Sequence, residues 1–186
     1  NFWIETAEPD SSGKYIIDDL PFKRLPNKFS DAVFVDNNGI VWISKAKELY
    51  SFNPAIKRNY KLPFNTLIRK VYREDSILFN GTYRIKSDNL HYIISPTQQP
   101  EQIYKLPYHF NRLVFEFSST FYEKEEDTQF SYFLEGSDEN WSIWNKEAKA
   151  TYTNLIEGSY TFKVIARNIY GTESAIGEYK FSIAPP

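Results

Sequence analysis

Residues 150–168 read ATYTNLIEGSYTFKVIARN, and this stretch decides the fold. It opens on a short strand signal at Thr151-Tyr152-Thr153 and turns at Asn154 to Ser159, with Leu155 plugged into the turn and Gly158 near its end. Then Tyr160, Phe162, Val164 and Ala166 alternate with Thr161, Lys163 and Arg167, and Ile165 is the one apolar exception on the second face. Period two predicts a half-buried strand of an antiparallel sheet. The Leu155…Gly158…Tyr160 spacing predicts a tyrosine corner, in which a phenol near the start of a strand bonds back to upstream backbone and fixes a turn between two sheets. The expected fold class is all-β.

Outward from this corner the pattern repeats. Downstream, Asn168 to Gly171 is a loop and Tyr179, Phe181 and Ile183 form the final strand. Upstream, Leu113, Phe115 and Phe117 alternate with Val114, Glu116 and Ser118, and Phe130, Tyr132 and Leu134 alternate with Ser131, Phe133 and Glu135. Gly136 to Asn140 turns the chain into an expected edge strand at Trp141 to Trp144. Between 64 and 110 the signals are looser. Ile68, Lys70 and Tyr72 are read as one face against Arg69 and Val71; Ser76 to Phe79 and Leu90 to Ile94 are short strands. This part is either a second blade-like sheet or the opening strands of the sandwich.

The first 63 residues hold weak and strong strand signals at Lys14–Ile17, Ala32–Val35, Ile40–Ile43, Leu49–Phe52 and Asn59–Leu62, with a tight turn at Asp36-Asn37-Asn38-Gly39. Four short strands and such turns are what one propeller blade needs. The triplet Leu-Pro-aromatic recurs at 20–22, 62–64 and 106–108, near a blade-length period.

The order Asp36, Gly39, Trp42-Ile43, Leu49, Tyr50 resembles the regulator-propeller repeat of bacterial carbohydrate sensors, although Lys45-Ala46-Lys47-Glu48 replaces its usual small residues. Residues 111–186 resemble the triple-tyrosine (Y_Y_Y) domain of bacterial hybrid two-component and related regulators. The residues that carry this are Asn111-Arg112-Leu113 with Phe115-Glu116-Phe117; Tyr132-Phe133-Leu134-Glu135-Gly136; Asp138 with Trp141 and Trp144; Tyr152-Thr153-Asn154-Leu155; Gly158 with Tyr160 and Phe162; and Ala166-Arg167-Asn168. The resemblance implies a fibronectin III/Ig-like antiparallel β-sandwich over 64–186, with an alternative boundary near 108. An incomplete, propeller-blade-like sheet over 1–63 precedes it. Tyr132, Gly136, Trp141, Tyr152, Asn154, Leu155, Gly158, Tyr160 and Asn168 are the structural motif positions. The implied role is a non-enzymatic, periplasmic sensor segment of an inner-membrane regulator. It passes glycan or nutrient sensing by the propeller to a cytoplasmic kinase or DNA-binding output and aids dimerisation. Any oligosaccharide binds through propeller blades outside this stretch, and contact with the membrane comes only through a downstream helix. The alternative is a fibronectin-like accessory or carbohydrate-binding module of a secreted glycan-degrading enzyme.

Composition narrows the chemistry. There are 186 residues, enough to bury a large core, and aromatics make up 18% of them, which favours strands. The net charge of −2 gives no electrostatic footprint for nucleic acid. Cys is absent, which removes disulfides and thiol chemistry; Met is absent even at position 1, which reads as a piece of a longer protein. Both histidines, His91 and His109, lack a carboxylate pattern, and no phosphate-cradling or nucleophile-elbow motif occurs. Neither a catalytic set nor a cofactor or metal is expected. The run Glu123 to Asp127 reads as a solvated turn. Trp141, Trp144 and the loop residue Tyr170 are the candidates for ligand or partner contact, with edge packing as the competing role of the tryptophans.

Overall fold

Alternating apolar residues can bury one face of a sheet only if another layer covers it. The computed structural model describes residues 2–25, 29–87 and 91–186 and divides the chain into two compact units, 1–62 and 63–186. Among its described residues the first unit contains seven strands: β1 (Phe2–Trp3), β2 (Thr6–Pro9), β3 (Tyr15–Asp18), β4 (Phe29–Ser30), β5 (Ala32–Val35), β6 (Val41–Lys45) and β7 (Glu48–Phe52). β5, β6 and β7 form an antiparallel three-stranded sheet; β2 pairs only with β3, and β1 with β4. The expected fourth blade strand, Asn59–Leu62, is a turn, so the sheet stops at three strands. Pro54 and Pro63 flank this segment. The Leu-Pro-aromatic triplet is no structural repeat either: 20–22 is a 3₁₀ turn, 62–64 is irregular, and 106–108 ends a strand.

The second unit carries β8 (Thr66–Arg73), β9 (Ser76–Phe79), β10 (Tyr83–Lys86), β11 (Tyr92–Ser95), β12 (Tyr104–Leu106), β13 (Leu113–Ser119), β14 (Gln129–Glu135), β15 (Lys149–Tyr152), β16 (Gly158–Arg167) and β17 (Gly177–Ile183). Two four-stranded sheets result, in the orders β15-β13-β8-β9 and β12-β17-β16-β14. Every pairing is antiparallel except β12 with β17. The sheets face each other across an aromatic core. Phe115 of β13 stacks on Phe162 of β16 with centroids 4.1 Å apart, and Tyr160 stacks on Phe181 at 5.1 Å. Offset ring pairs of this kind add to the burial energy of the rings themselves. β8 and β9 belong to the sandwich, whereas β10 and β11 form a separate hairpin. Leu90, read as the start of the strand near 94, lies outside the described residues.

Two register details depart from simple alternation. In β8, Lys70 pairs with Glu116 but Ile68 pairs with Phe117, so Arg69 is an extra residue. This bulge flips the phase of the strand. Thr66 and Ile68 point into the core before it and Val71 after it, so Val71 is fully buried and not on the Arg69 face. The expected edge strand Trp141–Trp144 is not a strand. Ser142 ties it to β14, donating its N–H to Tyr132 O at 2.8 Å while Tyr132 N–H donates to Ser142 Oγ at 3.0 Å.

One turn is built three times, at Asp10–Lys14, Asp36–Ile40 and Asn168–Thr172. The first residue donates its N–H to the carbonyl of the fifth, and its side-chain Oδ1 accepts from the N–H groups of the third and fifth residues. The fourth is always glycine, Gly13, Gly39 or Gly171, at φ between 78° and 82°. A three-residue hairpin loop needs a left-handed residue there, which glycine adopts without a Cβ penalty.

Candidate functional site

The tyrosines that suggested the corner hold the sandwich together from inside. Tyr160 is buried, and its hydroxyl donates to Ile156 O at 2.8 Å. Leu155 is buried beside it and donates its N–H to Asn111 O at 3.2 Å. Asn154 takes a left-handed φ of 58° at the tip of this turn. Gly158 begins β16 just after it. Tyr152 Oη donates to Asp138 Oδ2 at 2.6 Å, and the same oxygen accepts from Leu134 N–H at 2.8 Å. Tyr132 meets Tyr152 edge to face at 6.4 Å. Burial and the Asp138 bond hold the Tyr152 phenol well above its ordinary pKa, so it stays a neutral donor. Gly136 lets β14 turn against β16: a Cβ there would sit 2.8 Å from Ser159 O and 3.0 Å from the Tyr160 ring. Tyr132, Gly136, Tyr152 and Tyr160 thus gather around one end of the sandwich, while Asn168 closes the far end of β16 with its turn. The hydroxyls of Tyr152 and Tyr160 are taken up by Asp138 and by Ile156 O.

The two tryptophans lie along the β14 edge. Trp141 stacks on Phe133 at 5.8 Å and remains 42% exposed. Trp144 is half-buried and receives the Arg167 guanidinium 4.2 Å above its ring. Arg167 is itself oriented by Gln129 Oε1 at 2.8 Å. Tyr170 is half-buried, edge-on to Phe121 at 6.0 Å, and its hydroxyl donates to Glu123 at 2.8 Å. Of these candidates Trp141 offers the most free ring surface.

A cleft that sequence reasoning missed lies in the second unit, with a volume of about 400 Å³. Its lining includes Phe79, Tyr83, Tyr104 and Tyr179 together with Arg84 and Glu101. Tyr83 stacks on Phe79 at 4.5 Å. Tyr179 is 1% exposed, and the hydroxyls of both Tyr83 and Tyr179 are buried without a partner among the described residues. Burial pushes the Tyr83 phenol up to about 12. Three stretches far apart in sequence, 79–83, 104 and 179, supply these rings, so no local spacing could have announced the whole cleft. A second cleft of about 610 Å³ lies on the other side of Tyr83, against β8 and β17.

Both histidines are exposed, and His109 lies edge-on to Phe110 at 4.0 Å. No group of three or more His, Asp or Glu side chains with metal-binding geometry occurs among the described residues, and no helix there is long and apolar enough to cross a membrane.

Residues 121–184 match the family model of the Y_Y_Y domain, so this stretch of the chain is a Y_Y_Y domain. Among solved structures, the chain is similar to the extracellular domain of BT3049 from B. thetaiotaomicron, described as a hybrid two component system, at 23% identity and a TM-score of 0.61 over 94% of this chain. It is also similar to the extracellular domain of BT4673 from the same organism, at 21% identity and a TM-score of 0.50 over 95% of this chain. The chain spans 23% and 22% of the lengths of those two. No curated protein matches it. At these identities the likeness establishes the shared fold.

Proposed function

We propose that this chain is a non-catalytic, extracytoplasmic segment of a transmembrane signalling regulator. The carrying observation is the combination of a Y_Y_Y sandwich with a preceding three-stranded sheet, an arrangement that aligns along nearly the whole chain with part of an extracellular sensor domain. A sandwich whose Tyr152 and Tyr160 phenols are committed to internal bonds serves better as a stiff connector than as a reaction centre. On this reading propeller blades elsewhere in the protein capture an oligosaccharide, and the sandwich transmits the event to a kinase or DNA-binding output across the inner membrane. Localisation tests it directly. The 186 residues contain no Cys, so Tyr122→Cys, at a position 78% exposed, places one reactive thiol in this segment of the full-length protein. A membrane-impermeant maleimide should label it in intact spheroplasts, above the background of the unsubstituted protein. Labelling only after lysis would reject the reading.

Self-association is the second part of the proposal. Of the three apolar residues expected on solvent-facing strand positions, Val114 is buried and contributes nothing, whereas Phe133 and Ile165 are half-buried on the outward face of the neighbouring strands β14 and β16. We place the weak contact between two copies there, beside Trp141.

A further inference from the structure

The cleft lined by Phe79, Tyr83, Tyr104 and Tyr179 is part aromatic and part polar, and its size is within the range of small-molecule sites. Arg84 and Glu101 are also among the residues that line it, and neither forms an ion pair with a described residue. The segments that bear them abut, because Gln102 Nε2 donates to Arg84 O at 2.9 Å. Gln102 also accepts from Gln99 N–H at 3.0 Å, which fixes the short turn carrying Glu101. One cleft is therefore lined by a cationic residue, an anionic residue and four aromatic ones.

That arrangement selects by exclusion. An anion would meet Glu101, a cation would meet Arg84, and a hydrocarbon would cover both charges without satisfying either. A zwitterion that carries both charges on one carbon, with a flat apolar body, satisfies all three surfaces. A guanidinium pairs with a carboxylate through two parallel bonds, a carboxylate accepts from an ammonium, and stacked rings receive a ring. We propose that this cleft is a binding site for a free aromatic α-amino acid: Arg84 takes its carboxylate, Glu101 its ammonium, and the Phe79–Tyr83 stack its side chain. The proposal stands apart from the signalling role and from any oligosaccharide captured by a propeller.

The test uses the 186-residue chain and L-phenylalanine as probe, followed by heteronuclear NMR. Backbone signals of Phe79, Tyr83, Arg84 and Tyr104 should shift in a saturable way. Arg84→Gln and Glu101→Gln change exposed side chains and should leave the spectrum folded, and each should weaken binding by about tenfold or more. N-acetyl-L-phenylalaninamide, which keeps the ring and loses both charges, should bind at least about tenfold more weakly to the unsubstituted protein. No saturable shift up to about 20 mM L-phenylalanine would overturn the proposal. So would equal binding of the capped analogue, or stronger binding of a neutral disaccharide such as maltose, since either would show that the two charges do not select the ligand.

Discussion

At the scale of single residues, buried hydroxyls in this protein fall into two kinds with opposite consequences. Tyr160 Oη has a partner in Ile156 O, and Ile156 is an exposed residue. Tyr160→Phe should therefore cost about 1 kcal/mol in urea unfolding, the net value of one hydrogen bond whose acceptor can turn to water. Tyr179 Oη is buried and has no partner among the described residues. Tyr179→Phe should leave stability unchanged or raise it, because a polar group is removed from an apolar site; a loss as large as that of Tyr160→Phe would mean the hydroxyl is satisfied after all. The same burial predicts the alkaline behaviour. The Tyr83 phenol is held at about 12 in the folded chain by desolvation, above the ordinary 10.0. The folded state then binds more protons than the unfolded state across that interval, so stability is full below about pH 10 and falls as pH rises towards 12. Tyr152 and Tyr179 are raised in the same direction, Tyr152 by burial and its bond to Asp138, Tyr179 by burial and the neighbouring phenols. Denaturant midpoints measured at pH 9, 10 and 11 should decline, and Tyr83→Phe should flatten the decline. The Tyr160 corner was legible because its partner lies four residues away; the Tyr83–Tyr179 pair was not, because 96 residues of sequence separate two rings on one cleft wall.

At the scale of elements, the turns carry the topology. Asn168 is 5% exposed and accepts from two backbone N–H groups, those of Tyr170 and Thr172, at 3.0 Å each. Asn168→Ala strands both donors and should cost about 1–3 kcal/mol. Gly136→Ala should cost a similar amount, about 1–3 kcal/mol, since it meets Ser159 O at 2.8 Å while forcing a left-handed φ of 97° on a residue with a Cβ. Thermal melts check both, and a Gly136→Ala protein as stable as its parent would show that β14 can shift away from β16 freely. Strand existence was legible where alternation or a short apolar run held: the run Ala32–Val35 is β5, and the alternating Tyr179, Phe181 and Ile183 lie in β17. Where it failed, a specific competing term won. The bulge at Arg69 inverted the reading of Val71, because one inserted residue reverses every later side chain. Trp141 to Trp144 had the composition of a strand, yet bonds at Ser142 replace a ladder, its carbonyl accepting from Ser131 Oγ and its Oγ from Tyr132 N–H. The turn at Asp10–Gly13 repeats that at Asp36–Gly39 without the Asn-Gly pair that marks the latter, since Ser12 stands where Asn38 does.

At the scale of the whole molecule, the two units differ in how much core they own. The main cluster of buried side chains runs from Phe64 to Ile183 and, among the described residues, takes no member from 1–62. Among the described residues of the first unit the buried apolar side chains are Phe22 and Ile43, while Tyr15, Ile16, Ile17, Val33, Phe34, Val35, Leu49 and Ile56 are exposed. Apolar surface on that scale seeks a cover, and β5 is an edge strand whose backbone groups are open on one side. The resemblance to a propeller repeat names the cover that would suit it, a neighbouring blade, but a three-stranded sheet cannot supply that cover alone. Separating the units should therefore give unequal fragments. Residues 63–186 should fold as a monomeric, cooperative β-sandwich at low concentration, with a melting temperature within a few degrees of the full chain. The fragment 1–62 should be unfolded or aggregate. Sedimentation and near-ultraviolet circular dichroism on the two fragments decide this. The same sedimentation series on 63–186 tests the contact at Phe133, Ile165 and Trp141, which should produce association no tighter than about micromolar, as suits a small patch. Trp141→Ala should abolish that association without moving the melting temperature by more than about 2 °C, because a ring 42% exposed at a sheet edge owns little of the core. If the fragment stays monomeric up to about millimolar, the surfaces that bring two copies together lie elsewhere in the protein.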